Sequence, residues 1–297
     1  MFDVVIIGGG PAGLTSAIYA KRAGLDAVLL ESASCGGQML STYEVDNYPG
    51  LPGINGMELG NAMKEHALKM GADIREIRVL SVDISGDIKK VVTQEEELEC
   101  RNIIIATGAN HSRLGLEDEE RLTGMGVSYC ATCDGAFYKN ADVAVVGGGN
   151  VAVEDAIFLS RFCNKVYLIH RRSEFRAAAS LVEKARGLDN VEFITDNVIT
   201  KLNGEDELEG VVVSDVRTGE SREIPVEGLF VAVGIVPSSD LFSALLDTDE
   251  KGYIIAGEDC RTSVPGVYAA GDVRKKPLRQ IVSAVCDGAN AIESILS

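Results

Sequence analysis

The chain has 297 residues, 46% of them hydrophobic, 25% charged and 5% aromatic, with 32 Gly and only 7 Pro. That balance excludes disordered, collagenous and linker-rich architectures, favours a fold with close backbone approaches, and at about 150 residues per domain suggests two domains. The 45 acids outweigh the 28 bases to leave a net charge of -17, so the basic footprint of a nucleic-acid binder is missing.

The N-terminus reads Met1-Phe2-Asp3 and then a strand-like Val4 to Ile7. It has neither a basic leader nor a cleavage site, so no secretory signal is expected. No apolar run approaches the ~18 residues of a membrane span. From Asp3 to Glu31 the chain reads DVVIIGGGPAGLTSAIYAKRAGLDAVLLE. From Asp142 to His170, at a gapless offset of 139, it reads DVAVVGGGNVAVEDAIFLSRFCNKVYLIH. Each copy is a β-branched run, a glycine turn, a helical pattern and a second β-branched run. This is a βαβ unit with G-x-G-x-x-G in the first copy and G-x-G-x-x-A in the second.

The spacing has a physical meaning. Gly8 permits the turn after the strand, Gly10 leaves room for a pyrophosphate, and Gly13 lets helix and strand pack closely. The helix starting near Pro11 directs its free N–H groups at the phosphates. Gly147, Gly149 and Ala152 repeat these parts. The first unit ends in Glu31, which suits ribose hydroxyls and would repel a 2′-phosphate. The second ends in His170, followed by Arg171, Arg172 and Arg176. Guanidinium groups bind phosphate bidentately, so the second site suits NADPH over NADH.

Between the units, Cys35-Gly36-Gly37-Gln38 and Asn47-Tyr48-Pro49-Gly50 are turn-rich and suited to line a ligand. Met57 to Met70 has helical periodicity and stops at Gly71. Ile74 to Cys100 suggests an antiparallel meander. Arg101 to Ile105 reads as a separate buried strand running into Ala106-Thr107-Gly108-Ala109. Beyond the second unit, Leu229 to Gly234 echoes that strand. Gly266 to Val273 is a third strand, ending at Gly271-Asp272, and Ile281 to Ile295 is a final helix. The expected fold class is α/β. It comprises two Rossmann-like, three-layer ββα nucleotide-binding domains, the second inserted into the first, with the first over 1–112 and 239–297 and the second over 113–238.

Seven scattered cysteines do not make a disulfide scaffold, and a reducing cytoplasm is the expected compartment. Cys130-Ala131-Thr132-Cys133-Asp134 precedes the second glycine turn. C-x-x-C can be half a zinc site, a redox pair or chance. A structural zinc site wants a second pair, which cysteines 35, 100, 163, 260 and 286 do not form. A redox pair is therefore favoured, and no metal is expected. Asp134 can serve as a helix cap or as a proton donor and acceptor for a thiolate. The residues leave both open.

The motifs GGGPAG, GGQ, NYPG, CATCDG, GGGNVAVEDA, HRRSEFRA, GDV and RQ, in this order, resemble the low-molecular-weight, bacterial-type thioredoxin reductases over essentially the whole chain. These are flavoproteins of the pyridine nucleotide-disulfide oxidoreductases. The resemblance implies FAD on Gly8, Gly10, Pro11, Ala12, Gly13 and Glu31. Gly37, Gln38, Asn47, Ala106, Thr107 and Gly108 would lie around it, with Gly271 and Asp272 at the ribityl chain and Arg279 and Gln280 by the ring. NADPH would lie on Gly147, Gly149, Asn150, Val151, Ala152 and Gly234, with His170, Arg171, Arg172 and Arg176 at its 2′-phosphate. Cys133 would face the flavin, Cys130 would exchange with the partner disulfide, and Asp134 would be the acid. A thioredoxin-like protein substrate and a homodimer are implied, with neither nucleic acid nor membrane as partner.

The chain departs from the pattern at Met125, where a basic residue is common, and at Ala136, which loses an aromatic beside Phe137. Cys286 stands where a small residue is usual and is expected to be a buried small hydrophobe. The competing readings are a related flavoprotein with another donor or acceptor (a ferredoxin-dependent reductase or a dithiol oxidase) and a non-enzymatic flavin redox sensor.

Overall fold

A computed structural model describes residues 1–42 and 45–297. The chain forms two compact units, Met1–Asn110 with Val236–Ser297, and His111–Ile235. In the first, β1 (Phe2–Ile7) leads through the glycine turn to α1 (Pro11–Arg22) and on to β2 (Ala27–Glu31). β2 lies parallel to β1, from Val4 opposite Ala27 to Ile7 opposite Leu30. α2 (Gly56–Lys69) begins at Asn55, whose side chain accepts the Met57 N–H, satisfying one of the orphan donors of the first turn.

β3 (Asp73–Glu76) then pairs parallel with β2. The expectation that the meander starts at Ile74 is thus corrected: a strand delivered by a crossover helix returns parallel to its predecessor. The antiparallel run is β4 (Val79–Asp83), β5 (Lys89–Thr93) and the first half of β6 (Glu97–Ile105). Nor is Arg101 to Ile105 a separate strand. β6 continues through Cys100 and pairs parallel with β1 as far as Ile7 opposite Ile105. Its burial alternates at first and becomes continuous at Ile103, where the strand enters a sheet covered on both faces. β7 (Ala109–His111) follows.

The second unit holds α3 (Glu119–Leu122), β8 (Val127–Ser128) and α4 (Ala131–Asp134). The repeated element follows as β9 (Asp142–Val146), α5 (Asn150–Leu159) and β10 (Lys165–His170). α6 (Ala179–Arg186) delivers β11 (Val191–Thr195). β12 (Asn197–Asn203), β13 (Gly210–Asp215) and β14 (Ser221–Pro225) form an antiparallel meander. β15 (Gly228–Val231) completes a parallel sheet of order β11-β10-β9-β15-β8. β3-β2-β1-β6 of the first unit has the same succession.

β16 (Ile235–Pro237) leads back to the first unit, where β17 (Val267–Ala269) pairs parallel with β6 and α7 (Ile281–Leu296) ends the chain. α7 crosses α1 closely. A Cβ on Gly288 would lie 2.2 Å from the Ala12 carbonyl oxygen, and the buried Ser16 hydroxyl donates to the Gly288 carbonyl at 3.1 Å.

Strand alternation distributes the cores. Val4, Ile6, Leu29 and Ile104 face α1 and α7, whereas Val5, Ile7, Ile103 and Ile105 face the meander residues Val91 and Leu98. In the second unit Val143 and Val145 join Val153 and Ile157 of α5, and Ala144 and Val146 join Val211 and Val213 of β13. Each fully buried aliphatic side chain contributes about 1.5–3 kcal/mol, enough to fix which face of each strand meets the helices and which meets the meander. Among the described residues no helix is long and apolar enough to cross a membrane.

Candidate functional site

The glycines of the first turn divide by what each must avoid. Gly8 has φ +109°, and a Cβ there would lie 2.4 Å from the Ala106 carbonyl oxygen; a Cβ on Gly13 would lie 1.8 Å from the Gly8 carbonyl oxygen. Both are required by the fold. Gly10 is different. Its backbone is extended (φ -73°, ψ -174°), and an added Cβ would meet nothing closer than Gly37 Cα at 4.0 Å. The fold itself does not need glycine at this position, and the open space leaves room for a group to approach the backbone.

Gly10 precedes α1 without a capping side chain, Pro11 opens the helix, and the first turn carries no acid. Its free N–H groups are left for an anion. Glu31, at the end of β2, accepts the N–H of Gly9 at 2.6 Å and of Ala33 at 2.9 Å.

Other expected residues of this unit gather around the turn. Gly37 backs onto Gly10 and opens a short 3₁₀ turn that includes Gln38. Ala12 lies under Gly271, whose N–H donates to the Asp287 carboxylate at 2.8 Å. Asn47 Nδ2 donates to Gln280 Oε1 at 2.9 Å, joining residues 233 positions apart. Ala106 closes the turn. Thr107 and Gly108 are engaged elsewhere: the Thr107 hydroxyl donates to the Ser238 carbonyl at 2.6 Å, and the Gly108 carbonyl accepts the Ser238 N–H at 3.0 Å.

In the first unit two buried side-chain atoms are left without a hydrogen-bond partner among the described residues, Asp272 Oδ1 and Arg279 Nε. Burial raises the Asp272 carboxyl above the ordinary range. The Arg279 guanidinium lies 3.9 Å over the Tyr253 ring. Buried polar atoms in folded proteins are almost always paired. An orphan acceptor, an orphan donor, an open glycine and a bare helix start fit a dinucleotide with hydroxyls and phosphates.

The second turn repeats the first. Gly147 has φ +158°, and a Cβ there would lie 2.4 Å from the Ala232 carbonyl oxygen; Gly149 has nothing within 4 Å. Ala152 takes the third position and is fully buried. Asn150 Oδ1 accepts the Ala178 N–H at 2.9 Å, while Val151 is exposed.

His170 is buried at the end of β10, 4.9 Å from the Phe175 ring, and its Nε2 has no partner among the described residues. Burial lowers its proton affinity, and the charges of Arg176, Arg171 and Arg172 lower it further. The Arg176 N–H donates to the Gly148 carbonyl at 2.7 Å. Arg171, Arg172 and Arg176 are exposed, and no described acid forms an ion pair with them. Gly234 lies in the connection between β15 and the strand that begins at Ile235, and its carbonyl accepts the Ser112 N–H at 2.9 Å.

Cys130 and Cys133 form a disulfide, with their Cα atoms 5.3 Å apart. The Cys130 carbonyl accepts the N–H of Cys133 at 3.2 Å and of Asp134 at 3.1 Å, which closes one tight turn around the pair. Asp134 precedes the 3₁₀ turn Gly135–Tyr138, but its side chain makes no capping hydrogen bond there. It ends α4, and its Oδ2 accepts the Ser128 hydroxyl at 2.6 Å. Burial raises its carboxyl, and the Ser128 bond opposes the rise.

The strand before the pair is anchored by Glu119, a residue sequence reasoning missed. Its buried carboxylate accepts the N–H of Leu114 at 2.9 Å and of Gly115 at 2.8 Å, and the Tyr129 hydroxyl at 2.7 Å. Burial, with Glu119 beside it, pushes the Tyr129 phenol up to about 12. Met125 and Phe137 are exposed. Cys286, expected to be buried, is exposed as well. The inward stripe of α7 is Ala284, Asp287, Gly288, Ala291 and Ile292, and position 286 falls off it.

The chain is similar to thioredoxin reductase of Mycolicibacterium smegmatis, with 45% identity over 97% of this chain and 94% of the relative. It is similar to thioredoxin reductase of Listeria innocua, with 44% identity over 97% and 91%. A solved structure of thioredoxin reductase from Streptococcus pyogenes matches with a TM-score of 0.95 and 43% identity, covering 100% of this chain and 97% of that one. Residues 2–288 match the family described as pyridine nucleotide-disulphide oxidoreductase, and the chain belongs to that family.

Proposed function

We propose that the chain is an NADPH-dependent thioredoxin-disulfide reductase that carries FAD. The observation that carries this reading is a disulfide, Cys130–Cys133, with a half-buried carboxyl one residue away, in a chain with two nucleotide turns. Residues 1–112 and 239–297 serve as the FAD-binding domain, and 113–238 as the NADPH-binding domain that carries the pair. FAD, when bound, supplies a carrier that accepts two electrons as hydride from nicotinamide and passes them to a disulfide.

The rest belongs to the chain's own residues. Gly10 and the start of α1 receive the pyrophosphate, Glu31 the ribose hydroxyls, and Asp272 and Arg279 the polar atoms further along. Gly149 and the start of α5 receive the NADPH pyrophosphate, and Arg171, Arg172 and Arg176 its 2′-phosphate. With the pair reduced, the Cys130 thiolate attacks one sulfur of the partner disulfide, and the partner's other sulfur leaves with a proton that Asp134 provides. Cys133 then attacks Cys130. This releases the second partner thiol and restores the Cys130–Cys133 bond, so that two electrons pass from the pair to the partner. The partner is a thioredoxin-like protein, and the enzyme acts as a homodimer in the cytoplasm.

An anaerobic titration of the purified flavoprotein tests the reading. NADPH is expected to bleach the flavin absorbance far faster than NADH, and oxidised thioredoxin to restore it. Bleaching by neither nucleotide, or no recovery with a panel of oxidised thioredoxin-like proteins, would overturn it.

A further inference from the structure

Ser128 lies outside every motif that the sequence offered. It ends β8, where parallel pairing with Phe230 holds it, and it is 4% exposed. Its hydroxyl meets three polar atoms around the cysteine pair: Asp134 Oδ2 at 2.6 Å, the Cys130 amide nitrogen at 3.1 Å and the Cys130 carbonyl oxygen at 3.4 Å. A hydroxyl has one hydrogen to give and two lone pairs to accept with. While Asp134 is ionised, the hydrogen goes to Oδ2 and one lone pair accepts the Cys130 N–H. Once Asp134 carries a proton, the carboxyl O–H donates to the second lone pair, and the serine hydrogen turns to the Cys130 carbonyl. Apart from the proton gained by Asp134, the two arrangements differ by rotation of the serine hydrogen, and the same heavy-atom positions serve both.

A half-buried carboxyl that exchanges a proton is best served by hydrogen-bond partners in both of its states, because a polar atom left unpaired away from water is costly. We propose that Ser128 is a positioning residue for this proton transfer. It keeps Asp134 hydrogen-bonded whether ionised or protonated, and it ties that carboxyl to the Cys130 backbone, so the proton arrives and leaves without rearranging the turn that holds the sulfurs. The proposal rests on reading Cys130–Cys133 as a disulfide-exchange centre.

Other ionisable groups stand on the elements packed around Asp134. Tyr138 follows on the next turn, and its phenol feels the Asp134, Glu207 and Glu227 charges. Glu154 and Asp155 lie on α5, which packs against α4. Ser128 differs from all of these in bonding directly to Asp134 and to Cys130 at once.

Two measurements on the full-length protein test this. The first is a ¹³C-carboxyl NMR titration of the oxidised protein, with the Asp134 signal assigned by Asp134→Asn. Ser128→Ala is expected to move the Asp134 midpoint upward by about one unit, a tenfold gain in proton affinity, and Ser128→Thr to keep it within a few tenths of wild type. The second is a double-mutant cycle on partner-disulfide reduction. Ser128→Ala is expected to lower kcat roughly tenfold when Asp134 is present and less than about twofold in the Asp134→Asn background. An unmoved midpoint, or an equal loss in both backgrounds, would overturn the proposal. The titration needs no turnover, so a wild-type protein that reduced no partner disulfide would overturn the functional reading while the midpoint still decided the role of Ser128.

Discussion

The His170 imidazole fills the space that a side chain at position 148 would need. A Cβ built on Gly148 would lie 2.1 Å from His170 Cε1 and 2.4 Å from Nδ1. The ring is buried and braced by Phe175, which in turn meets Phe193 edge-on, so it cannot swing aside freely. Gly148→Ala should therefore destabilise the protein by about 1–3 kcal/mol, the usual result of overpacking. It should raise the KM for NADPH at least about tenfold while flavin stays bound, because the displaced ring disturbs the strand end carrying the arginines. Adding His170→Ala should recover much of the stability. Thermal melts and NADPH titrations of the single and double variants would check this.

Arg171, Arg172 and Arg176 are exposed guanidinium groups without described acid partners, at the strand end of the second nucleotide turn. Replacing Arg171 and Arg172 together with Gln should weaken NADPH about 10- to 100-fold and leave NADH almost unaffected, so that the preference for NADPH narrows by the same factor. The NADPH affinity of the wild type should also fall with added salt, as screening at these solvent-facing charges requires. Steady-state kinetics with both nucleotides across an ionic-strength series would decide.

The steric split within the first turn separates ligand binding from folding. Gly10→Ala adds a methyl group into open space and should leave the apoprotein melting temperature within about 2 °C of wild type. The same variant should lose most of its flavin on purification. Gly13→Ala drives a methyl group into the Gly8 carbonyl and should cost about 1–3 kcal/mol with or without flavin. Absorbance at flavin wavelengths beside apoprotein melts would distinguish the two.

Asp287 is a buried carboxylate held by Arg274 at 2.7 Å and Lys276 at 2.7 Å. Burial alone would raise it, but the bonds from Arg274, Lys276 and the Gly271 amide hold it below the ordinary carboxylate range. A carboxyl lowered in the folded state contributes stability that is complete above the unfolded value of about 4 and is lost as pH falls through the lower folded value. Acid unfolding below about pH 4 should thus draw on this site. Asp287→Asn removes the carboxylate shared by two buried cations and should cost about 3 kcal/mol at neutral pH, with a shallower dependence on pH below 4. Denaturant midpoints at pH 7 and pH 3.5 for both proteins would check the sign.

The glycine turns could be read from the sequence because their steric demands are local. Gly8, Gly10 and Gly13 lie on one turn, and their duplicate lies at a constant offset. The direction of β3 could not be read from its own residues, since an alternating strand looks the same in either orientation and the preceding helix decides. β6 was divided because its two halves obey different rules, alternating where one face is open and continuously apolar where both are covered. Ser128 and Asp287 were missed for a common reason. Each acts through a partner chosen by tertiary placement, Asp134 across a turn and Gly271 across a helix, and serine or aspartate alone signals neither. The Asn47–Gln280 bond shows the converse, two residues singled out separately and brought together by the fold.

The backbone bond from the Ser112 N–H to the Gly234 carbonyl sits at the two ends of the second unit, and the bond from the Ser238 N–H to the Gly108 carbonyl sits at the two lips of the gap in the first. Entry and exit therefore coincide on each side. A segment with this geometry behaves as a cassette: evolution or an engineer can lift it out, lengthen it or exchange it for a homologous module while its host keeps the same chain path.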